Sequence, residues 1–356
     1  MSRATGPFSL PKTRERIIPP WATSFAAFLA ALACMASLIA LSSADPAASL
    51  ASFFARPFSS AWYLGNMLDM AALLVLAGTG SAIALRSGSY NLAGEAQIYA
   101  PALASAVILT RFSDATAPAF PAAISLAIAL ITALAIGAAL GFVPGLLRSR
   151  LGVSELLSSF LLSAAVVPVV DYLVSGPFRD ATGNLVATKP IPEALRLAPI
   201  LPPSTLNWSF PAAIVLAAGA WFFVARTKPG YRLRMTGSAP EFAVYAGFPS
   251  ARIRTLSMTV SGTFHALAGF LAITGTWFRC HEGFSAGMGW SALAIALVAR
   301  GNALAVIPAA LALSWLETAS DAAVLSAALS FDPTPLLQAI IFLLISARVI
   351  GARRRS

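Results

Sequence analysis

Residues able to do chemistry are sparse in this chain, and one run concentrates them. Arg86-Ser-Gly-Ser-Tyr-Asn-Leu-Ala-Gly-Glu-Ala-Gln-Ile-Tyr places Asn91, Glu95, Gln97 and Tyr99 immediately before an apolar stretch. Two readings of this run stay open. Glu95 and Gln97 stand where polar side chains cap the free N–H groups of a helix start. Alternatively the two glycines and the polar side chains form a re-entrant break lining a passage, since irregular backbone is tolerated at membrane depth only where protein or water covers it.

Other polar residues in apolar surroundings are isolated. Asn66 and Asp69 precede one apolar block, Asp171 ends another, and His265 interrupts a third. A charge at the bilayer centre costs about 2.5–3.5 kcal/mol on insertion scales. Asp69 and Asp171 therefore read as outer-boundary residues reached by water, and His265 as a helix-packing hydrogen bond. Trp62, Trp208, Trp277 and Trp290 fall near block ends and read as interfacial anchors.

Catalytic constellations are missing from the sequence. No G-x-x-x-x-G-K-S/T occurs, and none of the lysines, Lys12, Lys189 and Lys228, follows a glycine. The chain therefore carries no P-loop of its own. It also lacks H-E-x-x-H and G-x-S-x-G. Cys34 and Cys280 form no C-x-x-C, and with His265 and His281 they do not make a metal site. No catalytic residue, metal or cofactor is expected.

The elements that must position these residues follow from composition. Of 356 residues, 58% are apolar and 11% charged, against about 25% charged in soluble domains. The apolar residues come in long uncharged blocks, the pattern of an all-α polytopic membrane protein. After Arg16 a first span fits near 21–43, and further blocks lie at 70–85, 96–110, 115–147, 156–170, 197–225, 255–278, 283–299, 301–316 and 333–347. This makes about ten segments, some too short to cross unless they are broken helices. The net charge of +10 would suggest nucleic acid in a soluble protein; here the positive-inside rule accounts for it, and no nucleic-acid partner is expected. With the N-terminus inside, 18 of the 24 Lys and Arg residues fall inside and 6 outside, which predicts both ends cytoplasmic.

The expected organisation is a cytoplasmic tail at 1–20, a transmembrane domain at 21–350 and a basic tail at 351–356. Two connections stand out. Residues 175–207, rich in proline, read as an irregular external loop; residues 226–254, with six basic residues, are cytoplasmic. Within the latter, Ser238 as N-cap, Pro240 and Glu241 in the first turn and Gly247 as terminator predict a helix of about two turns.

Four stretches, in order, carry a resemblance. Tyr90-Asn91-Leu92-Ala93-Gly94-Glu95-Ala96-Gln97 resembles the F-N-I-G-x-E-G-Q segment of ABC-importer permeases for nucleosides and simple sugars, a family related to branched-chain amino acid permeases. Leu147 to Glu155, with Gly152 and Glu155, resembles that family's L-K-A-x-x-G-x-N-E cytoplasmic turn. Arg226 to Gly247 resembles its R-T-x-x-G-x-x-x-R-A-x-G-x-N-P-E-A-A-x-Y-A-G stretch, and Gly287 to Asn302 its G-x-G-F…A-L-L-G-R-x-N-P. Ala93 and Ala96 stand where the family has glycine.

The resemblance implies a bacterial inner-membrane, multi-pass permease subunit and not an enzyme. It implies partners: cytoplasmic ABC ATPase subunits, a second permease subunit, identical or paralogous, and a periplasmic or lipoprotein binding protein that delivers a nucleoside, a simple sugar or a related ring compound such as riboflavin. Ser238, Pro240, Glu241, Phe242, Tyr245 and Gly247 are then the coupling helix against the ATPase, Gly152 and Glu155 a second cytoplasmic turn, and Asn91, Glu95, Gln97 and Tyr99 the translocation pathway. The rival reading is a self-contained, ion-coupled secondary transporter.

Overall fold

The computed structural model describes residues 29–111, save 31, 35, 42 and 44, and residues 121–327. The expected span near 21–43 lies partly outside the described residues; the span at 333–347 and the tails at 1–20 and 351–356 lie wholly outside them. The described residues are helical, with two isolated bridges, Ala187 to His281 and Pro199 to Asn207, in place of strands.

The helices are α1 (Pro46–Ala55), α2 (Ala61–Arg86), α3 (Gly94–Arg111), α4 (Ala122–Leu151), α5 (Glu155–Ser175), α6 (Ser209–Arg226), α7 (Lys228–Ser238), α8 (Pro240–Tyr245), α9 (Ser250–Leu271, continued by a π-turn over Ala272–Trp277), α10 (Met288–Val298) and α11 (Ala303–Ala327). Local chemistry sets several ends. The Asp45 side chain accepts from the Ala48 N–H, Ser60 Oγ from Tyr63 N–H, and Gly152 closes α4 in the left-handed region at φ +67°.

Six of these helices, α2, α4, α5, α6, α9 with its π-turn, and α11, are long and apolar enough to cross a membrane. The block expected at 197–225 becomes helical only at Ser209. Its first part belongs to the irregular segment 175–207, where Leu197 N–H donates to Thr274 O (2.8 Å) and Ile200 N–H to Leu206 O (2.6 Å). α10 has 11 residues, about 16 Å of helix at 1.5 Å per residue, half the thickness of a bilayer core.

α2 is the hub: every side chain from Ala71 to Ala77 is fully enclosed, and α6, α9, α10 and α11 pack around it. α4 crosses α9 on small residues. A Cβ on Gly137 would overlap the Gly262 carbonyl oxygen, and Thr255 Oγ1 donates to Gly145 O at 2.9 Å. Small residues at a crossing let two membrane helices approach to backbone contact, where lipid offers no hydrophobic drive.

Candidate functional site

The chemistry-bearing run forms a break inside the bundle. Gly88, at φ +76°, turns the chain out of α2. Residues 88–93 are not helical, yet Ser87, Ser89, Asn91 and Ala93 are buried. Ser87 Oγ sits 2.6 Å from Ser257 Oγ near the start of α9. At the other end of the segment, a Cβ on Gly94 would lie 3.2 Å from His265 Nε2 and 2.8 Å from the Gly289 Cα. Ser257 and His265 are two helical turns apart, so the chain climbs about 12 Å before α3 begins, and the start of α3 lies about 18 Å below Trp277. α3 therefore starts near the middle of α9's length.

α10 starts at the same height. Glu95 Oε1 accepts from Gly289 N–H at 2.7 Å and from Trp290 N–H at 3.2 Å. From this point α3 runs outward: Tyr99 OH donates to Asp171 Oδ1 (2.6 Å) and His281 O (3.2 Å). α10 runs the other way, towards Gly301, whose carbonyl accepts from Arg86 Nε (3.1 Å). Two helix N-termini thus meet head to head, and one carboxylate lies between their positive ends.

Serine hydroxyls and a buried amide pair serve several of the peptide groups freed by the break. Asn91 and Gln97 form a reciprocal amide pair (2.7 and 3.3 Å), and Asn91 Nδ2 also donates to Ser261 Oγ (2.9 Å). Leu92 N–H donates to Ser159 Oγ (3.0 Å), Ala93 N–H to Asn91 Oδ1 (3.1 Å) and Ala96 N–H to Ser163 Oγ (3.2 Å). His265 donates from Nδ1 to Ser261 O (2.7 Å), because a carbonyl only accepts; Nε2 is then the acceptor for Ser81 Oγ (3.3 Å). His265 is the packing hydrogen bond expected of it.

Segment 175–207 pairs with the loop that precedes α10. Thr188 N–H donates to Cys280 O (2.8 Å), Ile191 N–H to Phe278 O (2.7 Å) and Glu282 N–H to Val186 O (3.0 Å). Two hydrogen bonds from Thr182, one from its hydroxyl and one from its N–H, hold the Asp180 carboxyl below its usual range.

Asp69 corrects its expected role. It is 1% exposed and not a water-reached boundary residue. Oδ2 accepts from Thr205 Oγ1 (2.7 Å) and Thr276 Oγ1 (2.9 Å), and Oδ1 from Asn207 Nδ2 (3.0 Å). In front of this network lies a cavity of about 710 Å³, lined by residues of α2, α11, the π-turn and segment 175–207, among them Trp62, Tyr63, Asn66, Thr205, Thr276 and Trp277. Trp277 packs edge-on to Phe284 (4.9 Å between centroids), and Phe284 stacks with Tyr99 (6.1 Å). An aromatic ladder thus joins the cavity wall to the break. Trp290 stands in the first turn of α10, 37% exposed, with its ring edge-on to Phe160 at 6.3 Å.

On the basic side, residues 226–254 form two helices where one was expected. α7 is capped by Thr227, whose Oγ1 accepts from Gly230 N–H (3.1 Å), with Pro229 in its first turn. Ser238 is the last residue of α7 and not the N-cap of α8, because its hydroxyl bonds back to Arg234 O (2.9 Å); Ala239 holds the cap position. α8 ends at Gly247, φ +71°. Phe242 is 52% exposed and Tyr245 95%, so neither packs back on the bundle. Gly152 is exposed, whereas Glu155 is buried in an ion pair with Arg148.

The serines and threonines that complete these networks escape a search for charged residues. Their signal is periodic: Ser159 and Ser163 in α5, and Ser257, Ser261 and His265 in α9, recur every four residues and form one polar stripe per helix.

Residues 63–347 match the family model described as "Branched-chain amino acid transport system / permease component". Relatives agree. The chain is 38% identical over 328 residues to "Probable riboflavin import permease protein RfuC" of Treponema pallidum, covering 90% of this chain and 84% of that protein. It is 27% identical to "Glucose ABC transporter permease protein TsgB13" of Haloferax volcanii, covering 83% and 80%. It is 26% identical to "Guanosine ABC transporter permease protein NupP" of Bacillus subtilis, covering 82% and 83%. The chain belongs to this family of transport-system permeases: it is a multi-pass membrane permease of ABC-transporter type, and not itself an ATPase.

Proposed function

We propose that this chain forms the translocation pathway of an ATP-driven importer for a small polar ring solute, with riboflavin the leading compound and nucleosides and simple sugars next. The observation that carries this reading is the mid-height break. α3 and α10 both start inside the bilayer, and their joined loops carry polar side chains to its centre. Discontinuous helices of this kind often flank the route in transporters, since irregular backbone at membrane depth is tolerated only where protein buries it or a water-filled route runs past it. Asn91, Glu95, Gln97 and Tyr99 are proposed to bound it.

Ten crossings with both ends cytoplasmic fit the 18-to-6 split of basic residues. That orientation puts 175–207 outside, for the binding protein, and 226–254 inside, for the ATPase. Exposed Phe242 and Tyr245 on α8 are the proposed anchors in the ATPase groove. Gly152 and Glu155 shape the adjoining turn. A second permease subunit completes the pathway.

Cells expressing the chain together with its ATPase and binding protein should accumulate labelled riboflavin, and replacing the ATPase P-loop lysine should stop it. Accumulation of none among riboflavin, guanosine and glucose would reject the solute class.

A further inference from the structure

We infer that the cleft where α6 meets α7 binds the phosphate of an anionic phospholipid. In the orientation proposed above it faces the cytoplasmic leaflet, and only the choice of leaflet rests on that reading. The cleft encloses about 370 Å³, and Arg226, Lys228, Tyr231, Arg232, Arg234 and Phe248 stand on its lining. That volume lies in the ~300–1,000 Å³ range of small-molecule sites. Two lining side chains hold the cleft together. Arg234 Nη1 donates to Val224 O and to Ala225 O (2.8 Å), free carbonyls at the end of α6. Thr227 Oγ1 donates to Phe223 O (2.6 Å) and accepts from Gly230 N–H (3.1 Å). Arg232 lies over the Phe248 ring at 5.8 Å, and Tyr231 packs edge-on to the same ring at 6.3 Å. The ring steadies this guanidinium without cancelling its charge.

The positive charge of the cleft is not neutralised by the described protein. Arg226 and Lys228 make no side-chain hydrogen bond or ion pair among the described residues. No Asp or Glu is among the described residues that line the cleft. Glu155 is paired with Arg148, and Glu241 is exposed on α8. The chain beyond the described ends is itself basic: 1–28 holds Glu15 against Arg3, Lys12, Arg14 and Arg16, and 328–356 holds Asp332 against four arginines. A phosphate supplies the counter-charge, and guanidinium forks match its oxygens. Basic pockets at the cytoplasmic ends of membrane helices take lipid headgroups in this way.

Height and the neighbouring surface select a lipid over a free phosphate. The 18 residues of α6 carry no charge before Arg226 and span about 27 Å, close to the ~30 Å of a bilayer core. Exposed Trp208 precedes the first residue of α6, the place of an interfacial ring. Arg226 thus reaches the opposite boundary, where headgroup phosphates lie. Phe222 and Phe223, both exposed, stand one turn before Arg226, and exposed Val215 and Leu216 lie two turns further along the same face. This apolar stripe leads from the cleft into the membrane and suits acyl chains.

The test is native mass spectrometry of the full-length permease in detergent, titrated with dioleoyl phosphatidylglycerol, dioleoyl phosphatidylcholine and glycerol 3-phosphate. The wild type should bind phosphatidylglycerol at least tenfold more tightly than phosphatidylcholine, and at least a hundredfold more tightly than glycerol 3-phosphate. Arg226→Gln with Arg232→Gln should weaken phosphatidylglycerol at least fivefold. Arg150→Gln with Arg252→Gln removes the same charge from exposed positions outside the cleft and should change it less than twofold. Lys228→Gln alone should cost about threefold and carries the same test if the first double variant does not fold. Equal affinity for the two lipids would overturn the inference. Equal losses in the two double variants would also overturn it, since net charge alone would then attract the lipid. Glycerol 3-phosphate binding as tightly as the lipid would overturn it in favour of a free phosphate. Lost ATPase binding in the cleft variant, with lipid affinity unchanged, would overturn it in favour of an acidic face of the ATPase. Riboflavin uptake is measured separately, so the importer reading survives any of these failures.

Discussion

The carboxylate of Glu95, on the first turn of α3, caps the first turn of α10 through Gly289 N–H at 2.7 Å. The two residues are 194 positions apart, so this one contact closes a junction between the two halves of the chain. Removing it exposes two helix starts to each other. Glu95→Ala leaves the Gly289 N–H at the buried start of α10 without its acceptor and should cost about 1–3 kcal/mol, as for one unsatisfied buried group. Glu95→Gln keeps an acceptor but loses the charge that offsets both dipoles, and should cost about 1 kcal/mol. Thermal unfolding of the purified permease should rank wild type above Gln above Ala. Uptake should fall in the Gln variant while assembly with the ATPase persists. A Glu95→Ala protein that melts like the wild type would show that the junction does not depend on this cap.

The α4–α9 crossing admits no side chain at Gly137, because a Cβ there overlaps Gly262. Gly137→Val should force the helices apart and destabilise the permease by about 1–3 kcal/mol, the usual cost of overpacking. Gly219→Ala is the control on another membrane helix, since nothing lies within 4 Å of its Cβ position. Melting temperatures of the two variants should diverge; equal temperatures would contradict the crossing.

Phe242 and Tyr245 are exposed on α8, so replacing both with Ala should leave folding unchanged, within about 0.5 kcal/mol as for surface positions generally. The loss should appear in the complex, as weaker ATPase binding in pull-downs and as ATP hydrolysis no longer stimulated by solute-loaded binding protein. A double variant that binds and couples normally would move the contact to another part of 226–254 or to the turn at Gly152.

Leu185 is 53% exposed in segment 175–207, which is proposed to lie outside. In a background with Cys34 replaced by Ser, Leu185→Cys should react with a membrane-impermeant thiol reagent added outside intact cells, while buried Cys280 stays unmodified. Labelling only after the cytoplasmic face is opened would invert the topology.

Much of the architecture is legible in the uncharged blocks, because an apolar segment flanked by Arg leaves few alternatives in a bilayer. The block at 70–85 is the hub helix α2, and 255–278 is α9 with its π-turn. The break at 88–93 is legible from the polar residues around it, and the capping role read for Glu95 is served on α10 and not on its own helix. What the sequence conceals is partnership at a distance. Nothing local to Asp69 shows that Thr205, Asn207 and Thr276 enclose it, so a buried acid reads as a boundary residue. α7 is concealed for a different reason: Thr-Lys-Pro-Gly reads as a turn, although Thr227 followed by Pro229 is also a helix start.

The central claim is that the chain supplies a route and a separate ATPase supplies the energy. It is tested most directly by uptake of labelled riboflavin into proteoliposomes containing the permease alone, the permease with its ATPase, and the permease with an ATPase lacking its P-loop lysine, each with binding protein outside and ATP inside. Uptake is expected only with the intact ATPase. Concentrative uptake by the permease alone, driven by an imposed proton or sodium gradient, would contradict it.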